Sequence, residues 1–339
     1  MKPLRTAILG CGGWGDRHAR NLVQLPEQIK LSAFCDADVG RAAAFAKTYG
    51  GADAQIFSDH HELLRQAPLD LLVIALPPFA HSDEVQLASE RGIHLLIEKP
   101  IALSMEHAWQ MVEQAEKAGI CTQVGFMYRF GAAVQRMVDL RDNGRAGGMG
   151  LVRAGYFCNH LHAPWWRFKD KAGGQVVEQA IHLVDLMRYL AGEAESVYSI
   201  QRNLFHQDIA EGYTVEDVSG TVISFNNGAV GVLTATNNAV PWKWAWDFKL
   251  VTRSLSVDFQ DSNHAAFTFT DIPLPEANAF FPVENLAVEQ DDYMLELLDL
   301  LAAIRSDAPT RTPLREGALS LELALAATRS AETGEVLRL

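Results

Sequence analysis

A glycine-rich turn between two patterned segments constrains this chain more than any other feature. Residues 4–9 form a short apolar run that predicts a strand, and a helical pattern extends from the turn to Leu25. The turn, residues 10–15, fits Gly-x-Gly-x-x-Gly. Glycine is required where a chain turns tightly and its backbone approaches a pyrophosphate at a helix N-terminus. The predicted cofactor contacts in this turn are Gly10, Gly12, Gly13, Trp14 and Gly15.

An acidic residue follows the next predicted strand. Residues 30–35 form that strand, and Asp36 comes after it, about 20 residues beyond the last glycine of the turn. A carboxylate at this position accepts both ribose hydroxyls and repels a 2′-phosphate, which favours NAD over NADP. Arg41 is near enough to serve such a phosphate, so NADP is not excluded.

Strands and helices alternate up to about residue 125, which predicts a doubly wound parallel sheet. The apolar run 69–76 precedes Pro77 and His81, and the run 93–97 precedes Glu98 and Lys99. Ligands bind at the carboxyl ends of such strands, so we expect Pro77, His81 and Glu98 to contact the cofactor. Lys99 is either solvated at the sheet edge or partly desolvated, in which case its lowered pKa suits proton exchange near neutrality.

Length and charge limit the remaining possibilities. The 339 residues predict two domains, 1–124 for the cofactor and 125–339 for substrate and oligomerisation. A net charge of -13 argues against nucleic acid or a membrane surface as partner, and no apolar run is long enough to span a bilayer. The four cysteines lack zinc-site and disulfide spacing, and a cluster of Cys158, His160 and His162 lacks a fourth ligand. We therefore expect no metal and a reducing, cytoplasmic setting.

Residues 175–191 predict a helix with a titratable stripe. At α-helical spacing Glu178, His182, Asp185 and Tyr189 share one face, opposite to an aliphatic face. Such a stripe usually faces solvent, but the cofactor turn and Lys99 suggest that this one faces the nicotinamide. Just upstream, residues 164–167 are Pro-Trp-Trp-Arg. Trp165 suits either the apolar face of a sugar or simple packing, and Arg167 can donate to hydroxyls or to the cofactor.

The rest of the second part predicts an α+β domain. Residues 128–143 and, near the end, 288–306 and 315–332 have helical patterns. Strands are predicted at 151–159, 196–202, 218–225 and 229–237, the last two joined by an Asn-Asn-Gly hairpin turn. Residues 203–216 predict an irregular, mobile loop. The aromatic positions of 242–248 alternate, so they pack inside the domain or form a subunit interface, and residues 335–339 predict an extended end.

Several motifs together resemble the Gfo/Idh/MocA family of sugar and inositol dehydrogenases over nearly the whole chain. They are the glycine turn, Pro77-Pro78 with His81, Glu98-Lys99-Pro100, Tyr128-Arg129-Phe130, Trp166-Arg167, and Gly173-Gly174 followed by Glu178, His182 and Asp185. The resemblance implies a Rossmann domain and a C-terminal α+β domain with a large, open, mainly antiparallel sheet. It also implies Lys99 and His182 as the proton-handling pair and a cis bond before Pro100. Glu178 stands where many inositol dehydrogenase-like members carry Asp.

The resemblance implies an NAD-dependent oxidoreductase acting on the carbinol carbon of a sugar, polyol or inositol. Its alternatives are a glycosidase that oxidises its substrate transiently with NAD, and a cofactor-sensing binding protein without turnover. Substrate contacts are expected from Lys99, Tyr128, His160, Trp165 and His182. Sheet-to-sheet contacts imply a homodimer or homotetramer through the C-terminal sheet.

Overall fold

The chain forms two compact units, each described here by itself. The computed structural model describes residues 2–158, 163–208, 212–238, 245–271, 280–306 and 308–339. The first unit comprises Met1–Phe126 and Tyr293–Ala318, and the second comprises Met127–Asp292 and Leu319–Leu339. The predicted domain boundary between residues 124 and 125 stays a prediction. A single boundary in the sequence does not account for residues 293–318, which belong to the first unit.

A six-stranded parallel sheet forms the centre of the first unit. Its strands are β1 (Leu4–Leu9), β2 (Ile29–Cys35), β3 (Gln55–Phe57), β4 (Leu71–Ile74), β5 (His94–Ile97) and β6 (Thr122–Val124). The helices between them are α1 (Gly13–Leu22), α2 (Val39–Tyr49), α3 (His60–Gln66), α4 (Glu84–Glu90) and α5 (Met105–Ala118). The strand order is β3-β2-β1-β4-β5-β6, with β1 paired in parallel to both β2 and β4. This order is that of a Rossmann fold, and it reverses between β1 and β4, where such sheets bind dinucleotides.

The second unit begins with a short 3₁₀ turn at Met127–Phe130, followed by α6 (Ala132–Asp142). The helix predicted over 128–143 is therefore interrupted. Gly131 adopts an extended conformation, and a Cβ there would lie 2.2 Å from the carbonyl oxygen of Ser262. That carbonyl instead accepts hydrogen bonds from the amides of Ala133 and Val134. A distant chain segment thus starts α6 and separates it from the turn.

A nine-stranded sheet dominates the second unit. Its elements are β7 (Met149–Phe157), α7 (Lys169–Ala172), α8 (Ile181–Ala191), β8 (Ala194–Arg202), β9 (Val218–Phe225), β10 (Val230–Thr236), β11 (Ala245–Thr252), β12 (Leu255–Phe259), β13 (His264–Phe269) and β14 (Val283–Ala287). The chain ends with α9 (Asp292–Ser306), α10 (Leu314–Thr333) and β15 (Leu337–Arg338). The strand order is β14-β13-β12-β11-β7-β10-β9-β8-β15. All its pairs are antiparallel except β7 with β10. The predicted α/β class with a mainly antiparallel second sheet is confirmed.

Local chemistry explains several of these elements. The Asn-Asn-Gly turn joins β9 and β10 as predicted, with Gly228 at a φ of 85° that favours glycine. Residues 203–208 and 212–216 are irregular as expected, but their backbone is held in place. The Asp217 carboxylate accepts the amide hydrogens of Leu204, Phe205 and His206. The predicted mobility of this loop stays a prediction.

The core of the first unit includes residues from the end of the chain. Ile8, Phe34 and Val73 on the sheet pack in one buried cluster with Leu297 and Leu300 of α9. Because these residues are far apart in the sequence, the sequence alone did not predict that they share a core. None of the helices in the described ranges is both long and apolar enough to cross a membrane.

Candidate functional site

The glycine turn combines two different uses of glycine. Gly10 has a φ of 96°, and a Cβ there would lie 2.4 Å from the carbonyl oxygen of Ala75. A Cβ at Gly15 would lie 2.1 Å from the carbonyl oxygen of Gly10. By contrast, a Cβ at Gly12 or Gly13 meets no heavy atom of the described chain within 4 Å. Gly10 and Gly15 therefore close the turn, while Gly12 and Gly13 leave open space for a ligand at the start of α1.

Asp36 lies against the same turn. One carboxylate oxygen accepts the backbone amide of Cys11 at 2.8 Å, and the other accepts the amide of Asp38 at 2.9 Å. The carboxylate is thus oriented by backbone donors at the end of β2, where a ribose-binding acid belongs. Arg41 has an ion pair with Asp38 at 3.5 Å and is well exposed. These residues fit NAD.

Burial makes the two thiols near the turn unreactive. It raises the pKa of the Cys11 and Cys35 thiols to about 12, with a smaller contribution from the nearby Asp36 carboxylate. Both stay protonated at physiological pH and act as small apolar groups. Trp14, at the start of α1, is partly exposed and stacks on Tyr293 with ring centroids 5.8 Å apart. Its indole therefore packs within the unit, which does not test the predicted cofactor contact.

The carboxyl end of β4 carries a buried histidine–carboxylate pair. Pro77 precedes a 3₁₀ turn at Pro78–Ala80, and His81 follows it. The Nδ1 atom of His81 lies 2.6 Å from an Oε1 of Glu84, with both side chains inaccessible to solvent. Burial favours the neutral form of Glu84, but the hydrogen bond from His81 and its charge lower the pKa of this carboxyl to about 2. The Nδ1 side of His81 is thus committed to Glu84.

A second buried pair lies at the carboxyl end of β5. The carboxylate of Glu98 is joined to Nε2 of His18 by a hydrogen bond of 2.7 Å. His18 lies on the buried face of α1, and sequence reasoning missed it; its position on the apolar side of that helix was the available signal. Glu98 is therefore bound to the helix that begins at the glycine turn. Lys99 follows it, is 9% exposed, and precedes Pro100 in cis, as the resemblance implied.

The predicted catalytic helix begins with a different helical form. Residues Val176–Ala180 form a π-helix, and α8 follows directly. The prediction of one continuous α-helix is therefore wrong for residues 176–180, and the placement of Glu178 on the same face as His182 stays a prediction. A π turn has i→i+5 hydrogen bonds and is often found at functional sites. Glu178 is buried there and lines a small cavity with Trp166, Gln179 and Asn237.

His182 packs against an aromatic stack. Its ring centroid lies 5.2 Å from that of Tyr128, whose other neighbour is Trp246 at 5.0 Å. Burial raises the pKa of the Tyr128 phenol, and the carboxylates of Asp292 and Asp261 raise it further. The phenol therefore stays neutral and can donate a hydrogen bond. His182 itself is 9% exposed, so the stripe that usually faces solvent is buried here.

Asp185 does not face solvent either. Its carboxylate accepts two hydrogen bonds from Arg129, from Nε at 2.8 Å and from Nη2 at 2.6 Å. Ser320 of α10 donates a third, at 2.9 Å. The Arg129 guanidinium also lies over the Tyr189 ring, 4.5 Å from its centroid. Arg129 and Ser320 had no assigned role in the sequence, because their partner lies far away along the chain.

Trp165 and Arg167 lie in the described part of the second unit, whereas several other predicted residues do not. Trp165 packs against a small cluster of Ala172, Tyr213 and Val215, which favours the packing interpretation. Arg167 ends the 3₁₀ turn Pro164–Arg167, and its carbonyl accepts the amide of Thr214. His160 and His162, together with Trp242 and Trp244, lie outside the described residues. Of the aromatic run, Trp246 and Phe248 pack inside the unit.

Two protein-family models match this chain. The model for oxidoreductases with an NAD-binding Rossmann fold, GFO_IDH_MocA, matches residues 4–126. The model for the GFO/IDH/MocA C-terminal domain matches residues 134–253. The chain belongs to the Gfo/Idh/MocA family. The predicted family, the NAD cofactor and the oxidoreductase class are thereby confirmed.

Two relatives that match along nearly their whole length are named as inositol dehydrogenases. The chain is 27% identical to scyllo-inositol 2-dehydrogenase (NAD(+)) of Bacillus subtilis, covering 99% of this chain and 96% of that protein. It is 25% identical to myo-inositol 2-dehydrogenase of Thermotoga maritima, covering 99% and 98%. Among solved structures, levoglucosan dehydrogenase in complex with NADH and L-sorbose superimposes with a TM-score of 0.90 at 22% identity, covering 100% and 99%. That similarity supports the fold.

Proposed function

We propose that this Gfo/Idh/MocA oxidoreductase oxidises a ring hydroxyl of an inositol or related cyclic polyol with NAD. The observation that carries the proposal is the buried His182 in the second unit, packed against Tyr128, whose ring in turn contacts Trp246. Aromatic rings beside an acid/base group suit the apolar face of a ring bearing many hydroxyls. Two relatives that match along nearly their whole length are named as inositol 2-dehydrogenases.

The proposed chemistry divides between side chains and cofactor. When bound, NAD would supply the acceptor for the hydride that leaves the carbinol carbon. His182 takes the hydroxyl proton, and Lys99 stabilises the developing alkoxide or relays that proton. The neutral phenol of Tyr128 donates a hydrogen bond to the substrate, since its raised pKa excludes a role as base. Gly12, Gly13 and Asp36 hold the pyrophosphate and ribose of the cofactor.

We infer that Asp185 positions this machinery and does not exchange protons with His182. Its carboxylate is bound by Arg129 and Ser320, and Arg129 is the neighbour in sequence of Tyr128. Asp185 therefore fixes the segment that carries Tyr128 against His182. Glu178 is the other carboxylate of the helical segment 176–191, which carries His182, and we propose it as the third member of the catalytic group. Pro77, His81, Glu98, Trp14 and Arg167 stay predicted cofactor contacts, and His160 and Trp165 stay predicted substrate contacts.

A direct assay tests the proposed reaction. The purified protein is incubated with NAD and a panel of scyllo-inositol, myo-inositol, cyclic sugars and linear polyols, and reduced nicotinamide is followed by absorbance. We expect turnover with at least one inositol and faster turnover with cyclic than with linear polyols. Binding of NAD without oxidation of any alcohol in the panel would contradict the proposal. Release of sugar from a glycoside without net cofactor reduction would indicate the glycosidase alternative.

We propose further that the nine-stranded sheet forms a homodimer or homotetramer interface. Its exposed face is apolar across neighbouring strands: Tyr198 pairs with Val222, and Val230 pairs with Leu151. Contiguous exposed apolar surface of this kind is typical of protein interfaces. Light scattering of Val222→Lys should show a smaller mass than the wild type; an unchanged mass would contradict the interface.

A cytoplasmic location also stays a prediction, supported by four free cysteines.

A further inference from the structure

Two adjacent histidines and two aspartates meet at a place unrelated to the residues discussed so far. They are Asp59, His60 and His61 at the start of α3, and Asp83 just before α4. One potential ligand atom from each of Asp59, His60 and His61 lies within 4.8 Å of the others. Nε2 of His60 lies 2.7 Å from one Asp83 oxygen, and Nε2 of His61 lies 3.0 Å from the other. Two imidazoles therefore converge on one carboxylate.

The donor set has a definite preference among cations. Imidazole nitrogen together with carboxylate oxygen suits Zn²⁺ and similar divalent transition metals, whereas Mg²⁺ and Ca²⁺ prefer oxygen ligands alone. Around a tetrahedral zinc ion with bonds of about 2.0–2.1 Å, neighbouring ligand atoms are about 3.3 Å apart. The nitrogen–oxygen separations at Asp83 are 2.7 and 3.0 Å. If a zinc ion replaced the protons of these two hydrogen bonds, each nitrogen–oxygen separation would have to increase by a few tenths of an ångström.

Most of these side chains are exposed enough to move by that distance, and the hydrogen bonds of Asp59 restrict the movement. Asp59 caps α3 by accepting the amide of Glu62 at 3.1 Å, which orients its carboxylate towards the helix start. Its Oδ1 lies 3.3 Å from Nδ1 of His61. The side chains of His61, Asp59 and Asp83 are 43–51% exposed, so they can shift without disturbing the core. Hydrogen bonds that orient ligands are a common support for metal binding.

We propose that His60, His61 and Asp83 form a surface site for a divalent transition-metal ion of the zinc class, with Asp59 orienting the His61 ring through Nδ1. The ion would link the start of α3 to the start of α4 within the first unit. None of these four residues takes part in the proposed proton transfer or in the glycine turn. The site is therefore independent of the proposed function.

The test uses full-length protein without a histidine tag, freed of metal with a chelator. Titration with zinc chloride in a calorimeter should show one equivalent bound per chain, and the melting temperature should rise with zinc because a ligand stabilises the state that it binds. Magnesium chloride should produce neither effect. The double variant His60→Gln/His61→Gln should bind zinc at least tenfold more weakly.

A matched control removes a similar pair elsewhere. His264 contacts Asp261 at 2.8 Å on the surface of the second unit, so His264→Gln should keep the zinc affinity of the wild type. Asp83→Asn tests the site with both histidines intact and should also weaken binding. Unchanged affinity in the double variant, or an equal loss in His264→Gln, would overturn the proposal. If the double variant does not fold, the comparison of Asp83→Asn with His264→Gln decides it in the same way.

Discussion

The glycine turn of the first unit and the helix carrying His182 in the second unit are shaped by different parts of the chain. In the turn, the backbone carbonyls of Gly10 and Ala75 determine which positions must lack a side chain. In the helix, side chains from α10 and from the turn before α6 determine where Asp185 lies. Backbone geometry therefore governs the cofactor side, and the packing of side chains from distant segments governs the proposed catalytic side. Substitutions in the two regions should have different consequences.

The largest effect is expected at the proposed proton-handling pair. Lys99→Met and His182→Ala should each lower kcat by roughly 10²–10⁴-fold, the range for loss of a general acid or base. Binding of NAD, measured by calorimetry, should change little. If one of the two variants also loses the rise or the fall of activity with pH that the wild type shows, the residue it lacks is the principal acid/base. Near-normal turnover in either variant would remove that residue from the mechanism.

The next effect concerns stability, and it separates positioning from catalysis. Asp185→Ala leaves the buried Arg129 guanidinium without its carboxylate, so the free energy of unfolding should fall by about 3–5 kcal/mol. Denaturant unfolding measures this loss. As a control, Glu116→Gln breaks the half-exposed ion pair with Arg315 and should cost less than about 1 kcal/mol.

The conservative variant Asp185→Asn adds a kinetic comparison. If Asp185 only positions Tyr128, this variant should lower kcat yet keep the pH–rate profile of the wild type. A shifted profile would show that Asp185 takes part in proton transfer. That result would contradict the role proposed for its pair with Arg129.

Within the glycine turn, two substitutions should have opposite signatures. Gly12 has a φ of -96°, which any residue adopts, and open space beside it. Gly12→Val should therefore keep the melting temperature and weaken NAD binding by roughly tenfold or more, about 1.4 kcal/mol. Gly15→Ala places a Cβ against the carbonyl of Gly10 and should destabilise the fold by about 1–3 kcal/mol. Equal effects of both variants on stability would contradict the division between closing and open glycines.

The smallest effect is confined to acid conditions. The pKa of Glu84 is about 2, below its ordinary value of 4.5, so its pairing with His81 stabilises the fold fully above pH 4.5. This contribution is lost as the pH falls from 4.5 towards 2. The free energy of unfolding of the wild type should therefore fall more steeply across that window than that of Glu84→Gln. Parallel slopes in denaturant titrations would show that the pair does not contribute.

The same contrast explains what could be predicted from the sequence. The parallel sheet, Gly10–Gly15 and the hairpin at Gly228 follow from rules that act within a few residues. The π turn at 176–180 could not be predicted from hydrophobic periodicity, because all five of its residues are buried, the polar Glu178 and Gln179 included. Gly131 looks like any helix-flanking glycine until Ser262 approaches it. Asp185 was predicted as a site residue from its place on the helix, but its partners could not be predicted, because they are 56 and 135 residues away.

The return of residues 293–318 to the first unit bears on how this protein can be divided and recombined. Leu297 and Leu300 complete the core that begins at Ile8, so a gene fragment ending at Phe126 encodes an incomplete Rossmann unit with an open apolar face. A recombination event that exchanged only the N-terminal segment would separate α9 from the core into which it packs. Exchange of substrate domains between relatives is therefore expected to require two crossovers, one near each boundary of the unit. An excised first unit would need residues 293–318 spliced behind residue 126 to remain monomeric and folded.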